Sequence, residues 1–151
     1  MDNKNKVLHI IIGLGIGGAE SQLLELLKKS PSHAVCSLSN QGYFRKKIIE
    51  SNIKLWELNL NSIYQYPIIL YKIKNIINIY KPNVIHAWMY HACLTSGLVS
   101  FLFNKKTPIL WGIRCSNMNT KNYSFQLKIT IKACKFLSTN SSHLVYNSNA
   151  G

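Results

Sequence analysis

Six short apolar runs recur along this chain, and the segments between them carry helical periodicity or a turn. The runs are Val7–Ile12, Ala34–Ser39, Ile53–Leu58, Val84–Trp88, Ile109–Ile113 and His143–Tyr146. Each is too short for a helix, and together they are rich in β-branched residues. They read as strands buried on both faces. After the first run, Ala19, Leu23 and Leu27 fall at four-residue spacing, with Lys28 and Lys29 at the end where a helix dipole favours cations. Phe44, Ile48 and Ile49 mark a brief helix. Pro67 opens another, with Ile69, Ile73, Ile76, Ile77 and Tyr80 on one face until Lys81-Pro82 stops it. Ala92–Phe103 is a fourth helix, and Leu127, Thr130, Cys134 and Leu137 share the core face of a fifth. Strand and helix alternate throughout. That order predicts one α/β Rossmann-like domain of 151 residues, a mostly parallel sheet with helices on both faces and right-handed crossovers. Ligands in such sheets bind beyond the carboxyl ends of the strands. The residues there are Gly13–Gly18, His86–His91, Arg114–Asn117 and Asn147-Ser148.

Composition narrows the chemistry. Apolar residues at 47% and charged ones at 15% exclude disorder, collagen and coiled coil. Eighteen Lys and Arg against five Asp and Glu give +13, and all but Arg45 and Arg114 are lysines. Such a surface suits an anionic partner: nucleic acid, acidic lipid or a phosphorylated substrate. The carboxylates are Asp2, Glu20, Glu25, Glu50 and Glu57, which argues against chemistry built on paired acids. Cys36, Cys93, Cys115 and Cys134 form no C-x-x-C, H-E-x-x-H is absent, and no metal site is expected. That cysteine spacing suits a reducing compartment. The longest apolar stretch, Ala92–Phe103, is broken by Thr95, Ser96, Gly97 and Ser100 and falls short of the ~18 residues a membrane span needs. Lys4 and Lys6 before Val7–Ile12 imitate a signal peptide, but no small-x-small cleavage site follows before Glu20.

The sharpest local signal is Gly13-Leu-Gly15-Ile-Gly17-Gly18-Ala19-Glu20, between the first strand and the first helix. Glycines let the backbone approach a phosphate, and the helix N-terminus offers free N–H groups and a positive dipole end. Gly13, Gly15 and Gly18 also satisfy the dinucleotide pattern G-x-G-x-x-G. That pattern expects an acid ~20 residues on to hold a ribose hydroxyl. No carboxylate lies between Glu25 and Glu50, and Arg45 is a faint basic substitute for NADP. His86 and His91 stand at the end of the fourth strand and where a loop enters the next helix; either can bind a sugar or phosphate or act near neutral pH. His9 falls inside the first strand and reads as packing. Arg114, ending the fifth strand with Asn117 close behind, offers a planar fork for phosphate or carboxylate. Lys128, Lys132 and Lys135, at i, i+4 and i+7, form a basic stripe opposite the core face of the last helix, suited to an anionic membrane. Arg45, Lys46 and Lys47 form a second basic cluster.

Three of these segments, Val7–Ile12 running into Gly17-Gly18-Ala19-Glu20, Pro82-Asn-Val-Ile-His-Ala, and the closing Val145-Tyr-Asn-Ser-Asn-Ala-Gly151, together resemble the amino-terminal domain of GT-B glycosyltransferases, specifically glycosyltransferase family 4. Pro108-Ile-Leu-Trp-Gly-Ile-Arg114 is similar to the strand before the acceptor-side loop in members acting on cell-surface polysaccharides. The resemblance implies a retaining hexosyltransferase that uses a nucleotide-sugar donor and a sugar or lipid-linked sugar acceptor, with no obligatory metal or cofactor. It assigns Gly15, Gly17 and Gly18 to the donor diphosphate and His86, His91, Arg114 and Asn117 to the acceptor side. No catalytic residue is assigned, because Arg114 stands where many members have a histidine. The family's paired glutamates, eight apart, belong to a carboxyl-terminal donor-binding domain. Glu50 and Glu57 are seven apart and in the wrong half. Residues 1–151 are therefore expected to be a truncated enzyme, the acceptor-side half, inactive alone. The expected location is cytoplasmic, at the inner face of the membrane. Two rivals compete. One is a small NAD(P)-binding protein; the other is a basic module for membrane or nucleic acid, though no nucleic-acid recognition motif is present.

Overall fold

A computed structural model describes residues 5–30, 32–103, 106–113, 124–138 and 143–146. Among these residues six strands form one sheet: β1 (Val7–Ile11), β2 (His33–Ser37), β3 (Lys54–Glu57), β4 (Val84–Trp88), β5 (Ile109–Ile113) and β6 (His143–Tyr146). Their order is β3-β2-β1-β4-β5-β6 and every pairing is parallel. The expected α/β Rossmann-like fold is what the chain adopts. The first three strands end one residue or two short of the apolar runs that predicted them, yet backbone bonds continue past the strand ends. Leu38 and Ser39 donate to Ile11 and Ile12, and Leu58 donates to Ser37.

Among the described residues five α-helices connect the strands: α1 (Gly18–Lys29), α2 (Arg45–Glu50), α3 (Tyr66–Tyr80), α4 (Met89–Phe103) and α5 (Phe125–Leu137). Alternate residues of each strand serve opposite layers, because successive side chains in a strand point to opposite faces. Leu8, Ile10, Ala34, Cys36, Ile85, Ala87, Ile109 and Trp111 pack under α3, α4 and α5. Ile11, Val35 and Trp88 pack with Leu23, Leu24, Leu27 and Ile48 of α1 and α2. A turn of 3-10 helix (Ile63–Gln65) leads into α3, where the Gln65 side chain accepts from the Asn61 and Ser62 amides. Lys81 ends α3 at φ 52°, where Pro82 forbids a further helical turn.

One expectation is corrected here. α4 begins at Met89, directly after β4, three residues earlier than the apolar pattern suggested. His91 thus lies in the first helical turn and not in a loop. The switch from strand to helix falls on Met89, at φ 68°, a conformation a long side chain adopts only under constraint.

Candidate functional site

The order β3-β2-β1-β4 reverses the direction of chain progression between β1 and β4. Such a switch point opens a crevice at the carboxyl edge, flanked by the loops after those two strands. Here the two loops are Ile12–Gly17 and the abrupt β4–α4 junction at Met89. Both were singled out by the sequence.

The glycine segment is held from one side by the loop after β2. Leu14 donates to the Gln41 carbonyl, and Phe44 donates to the Leu14 carbonyl at 2.9 Å. Gly42, at φ 149°, makes this approach possible: a Cβ there would fall on the Leu14 carbonyl. The other glycines divide sharply. A Cβ at Gly13 would press on Ser39 Oγ at 2.8 Å, and one at Gly17 would collide with the Glu20 carboxylate. A Cβ at Gly15 or Gly18 would meet no described atom within 4 Å. Internal packing therefore does not require glycine at those two positions. Gly18 opens α1, and Gly17 precedes it without a side-chain cap, so amide donors and the positive dipole end lie at the crevice. Glu20 in the first turn is the sole acidic group on that end of the helix. Ile16 is exposed at the tip of the loop.

Beneath the glycine loop lies a polar line that the sequence did not reveal. His9, only 1% exposed, sits opposite His86 in the β1–β4 register. The Trp88 indole N–H donates to His9 Nδ1 at 3.1 Å, and His9 Nε2 lies 3.1 Å from His33 Nδ1. An indole can only donate, so His9 must carry its proton on Nε2, pass that hydrogen to His33 Nδ1, and leave the His33 proton on Nε2. Burial, reinforced by the neighbouring His86 and His33, holds the His9 pKa down to about 2. The His86 ring lies over Trp88 with centroids 4.4 Å apart and its Nε2 against Gly112. The structure thus places His86 inside the sheet face, and His91 half-buried on α4, its pKa lowered by burial. The only sequence signal for the line was histidine in otherwise apolar strands.

Other expectations resolve as follows. Arg114 and Asn117 lie outside the described residues, as do Cys115, Asn147 and Ser148. Arg45 is engaged by Glu57, its Nε donating to both carboxylate oxygens at 2.8 and 3.0 Å, which removes the one basic candidate for an NADP phosphate. Cys36 and Cys134 are buried thiols with pKa values pushed up by burial to about 12 and about 11, and Cys93 is shifted in the same direction. None of the three is a poised nucleophile. Among the described residues no cluster of His, Cys, Asp and Glu could hold a metal ion, and no helix is long and apolar enough to cross a membrane. Lys128, Lys132 and Lys135 are exposed on α5, while Thr130, Cys134 and Leu137 are buried on its other side.

No family model matches the chain, and no curated protein matches it in sequence. Solved structures do match in fold. HepE from Anabaena, in a crystal structure with UDP, superposes with a TM-score of 0.77 at 17% identity over 96% of this chain. MurG from Acinetobacter baumannii gives 0.68 at 12% over 96%, and a UDP-N-acetylglucosamine 2-epimerase from Rickettsia bellii 0.64 at 12% over 97%. The chain spans 38%, 42% and 40% of those proteins. The fold is thereby that of the amino-terminal half of GT-B proteins.

Proposed function

We propose that residues 1–151 form the acceptor-side half of a retaining glycosyltransferase that uses a nucleotide-sugar donor, of family 4 type, acting in bacterial surface-polysaccharide assembly. The observation that carries it is the glycine loop at the β1/β4 switch point. Gly15 and Gly18 are the two glycines of that loop that packing leaves unexplained, and a diphosphate brought against the α1 N-terminus explains both. UDP and UDP-glucose in crystals of the HepE neighbour, and the sugar nucleotide in the epimerase's name, support the donor class. The missing ribose acid and the engaged Arg45 speak against the dinucleotide rival.

On this reading a second domain supplies the donor's nucleotide site, and this half supplies the diphosphate loop and the acceptor wall. His91 is assigned to the acceptor from the first turn of α4, and His86 steadies Trp88 from within the sheet; Arg114 and Asn117, outside the described residues, keep the acceptor role that the resemblance gives them. The acceptor is a sugar or lipid-linked sugar, met at the cytoplasmic face of the membrane, and no resident metal is required. The expected reaction is transfer, with the anomeric configuration of the donor kept.

The test is an amide NMR titration of the chain. UDP-glucose should shift the Gly15, Gly17 and Gly18 resonances, and NADH should leave them unmoved. Gly18→Val adds bulk where no protein atom competes, so the fold should persist while the shifts disappear. Equal shifts with UDP-glucose in the Gly18→Val protein, or a response to NADH alone, would end the proposal.

A further inference from the structure

His33 is the first residue of β2 and Trp88 the last of β4, so in a parallel sheet they stand at opposite edges. The line His33–His9–Trp88 therefore crosses the sheet from its amino edge to the crevice. His9 bridges the two, its ring centroid 5.0 Å from that of His33 and 5.9 Å from that of Trp88.

The line has a fixed direction. An indole N–H cannot accept, so every hydrogen points away from Trp88: Trp88 to His9, His9 to His33, and the His33 Nε2 hydrogen outward. A proton added to His33 has only Nδ1 to bind, and that nitrogen already accepts the His9 hydrogen. Two N–H groups would then face each other across 3.1 Å. The conflict is relieved when His9 carries its hydrogen on Nδ1 and accepts from His33 through Nε2. The two states differ by one solvent proton. In the second state His9 Nδ1–H opposes the Trp88 N–H, and the indole loses His9 as its acceptor.

Burial decides which ring takes the proton. His9 is buried and its pKa is held down to about 2, whereas His33 is half-buried at the sheet edge and its pKa is lowered less. Among the described residues, His33 on β2 and His86 and Trp88 on β4 face His9. α1 and α2 turn Leu23, Leu24, Leu27 and Ile48 to this side of the sheet. Their charges lie outward, in the exposed pairs Lys28–Glu25 and Lys46–Glu50 and in exposed Lys29 and Lys47. On β3, Glu57 is taken by Arg45. At the amino edge Lys6 lies over Tyr80, whose hydroxyl donates to the Ser32 carbonyl beside His33.

The other end of the line is where its release is felt. Trp88 belongs to one packed cluster with Leu14 of the glycine loop and Leu23 of α1. The next residue, Met89, holds φ 68° where β4 turns into α4. A backbone keeps such an angle only while its surroundings hold it. We propose that this line is a pH latch on the crevice: a proton taken up by His33 turns His9 to its other tautomer, releases the Trp88 indole and shifts the β4–α4 junction at Met89. Its role in regulating ligand binding rests on the crevice reading above. Its readouts need no ligand, so the latch and the glycine-loop titration fail separately.

The test is NMR of the chain from neutral pH downward, reading the His33 ring, the Trp88 indole N–H and the Met89 amide. As His33 titrates, the Trp88 indole hydrogen should move upfield and exchange faster with solvent, and Met89 should follow. All three should share one midpoint, below the ordinary imidazole value of about 6.5. The Trp111 indole, on the other face of the sheet, should stay still. His33→Gln keeps an acceptor for His9 but cannot titrate, so both responses should vanish with the fold unchanged by circular dichroism. His91→Gln removes the half-buried imidazole nearest the junction and should leave both in place. A His33 ring that titrates while the Trp88 indole stays still would mean that it swings away from His9, and would overturn the latch. So would a His33 ring that stays neutral until the chain unfolds. A Trp88 response that survives His33→Gln would reassign the proton to His86, and one lost in His91→Gln would reassign it to α4. Should His33→Gln fail to fold, separate midpoints for His33 and Trp88 in the unaltered chain would overturn the proposal by themselves.

Discussion

His9 occupies a strand position that hydrophobic patterning would assign to valine or isoleucine, and its two nitrogens are committed to Trp88 and His33. Keeping it neutral is what makes the arrangement tolerable in the core. With a folded pKa near 2 and an unfolded value near 6.5, the unfolded chain binds a proton that the folded chain refuses. Stability is therefore fully present above about pH 6.5 and falls as the pH drops, at about 1.4 kcal/mol per pH unit for this one group. His33 and His91 shift in the same direction, both through burial, and add to the slope with solvent-screened weight. Urea midpoints should thus decline between pH 7 and pH 5. His9→Gln keeps an acceptor for the indole and a donor for His33, so its profile should flatten over that range. A wild-type midpoint unchanged down to pH 5 would mean that His9 protonates freely in the fold.

At the scale of elements, α1 decides what the glycine loop can bind. Its N-terminus presents unsatisfied amides, and the Glu20 carboxylate stands over Gly17 at that end. An anion arriving there meets a favourable dipole and an unfavourable carboxylate together. Removing the carboxylate leaves the dipole unopposed. Glu20→Gln should tighten pyrophosphate binding about five-fold, in line with roughly 1 kcal/mol for a charge at a helix end. Titration calorimetry with inorganic pyrophosphate measures it. Weaker binding in the variant would instead make Glu20 part of the ligand's own contact set, through a hydrogen bond its carboxylate accepts. The α4 boundary shows a different limit. Met89, Tyr90 and His91 carry no helix-start signal, and their helical state follows from packing: Tyr90 is buried and accepts through its carbonyl from the Cys134 thiol of α5.

For the whole molecule, the sheet order places the glycine loop and the β4–α4 junction at one crevice, as half of a two-domain cleft would require. Catalysis between domains depends on holding donor and acceptor together, an effect worth roughly 7–11 kcal/mol of barrier. Purified residues 1–151 should accordingly release no sugar from UDP-glucose to any acceptor at a useful rate, followed by UDP formation. Robust turnover would show that both substrates are positioned within this one domain.

What the sequence determined by itself was everything that repeats or is local. Six apolar runs and the helical phases between them fixed the fold class, because burial on both faces leaves a parallel sheet with two helical layers as the solution. The glycine run and the lysine spacing on α5 were legible for the same reason: loop chemistry and helix phase are written within a few residues. Tertiary structure alone decided the rest. The His33–His9–Trp88 line joins residues 24 and 79 positions apart, which meet only because β1 lies between β2 and β4. Gly42 was indistinguishable from any loop glycine until Leu14 was seen against it. Phe125, Ile129 and Phe136 were equally mute, since an apolar residue in a sequence reads as core. Whether it is buried depends on which side of the helix the rest of the fold already covers, and on α5, which packs against α4, the buried side carries Thr130, Cys134 and Leu137 instead.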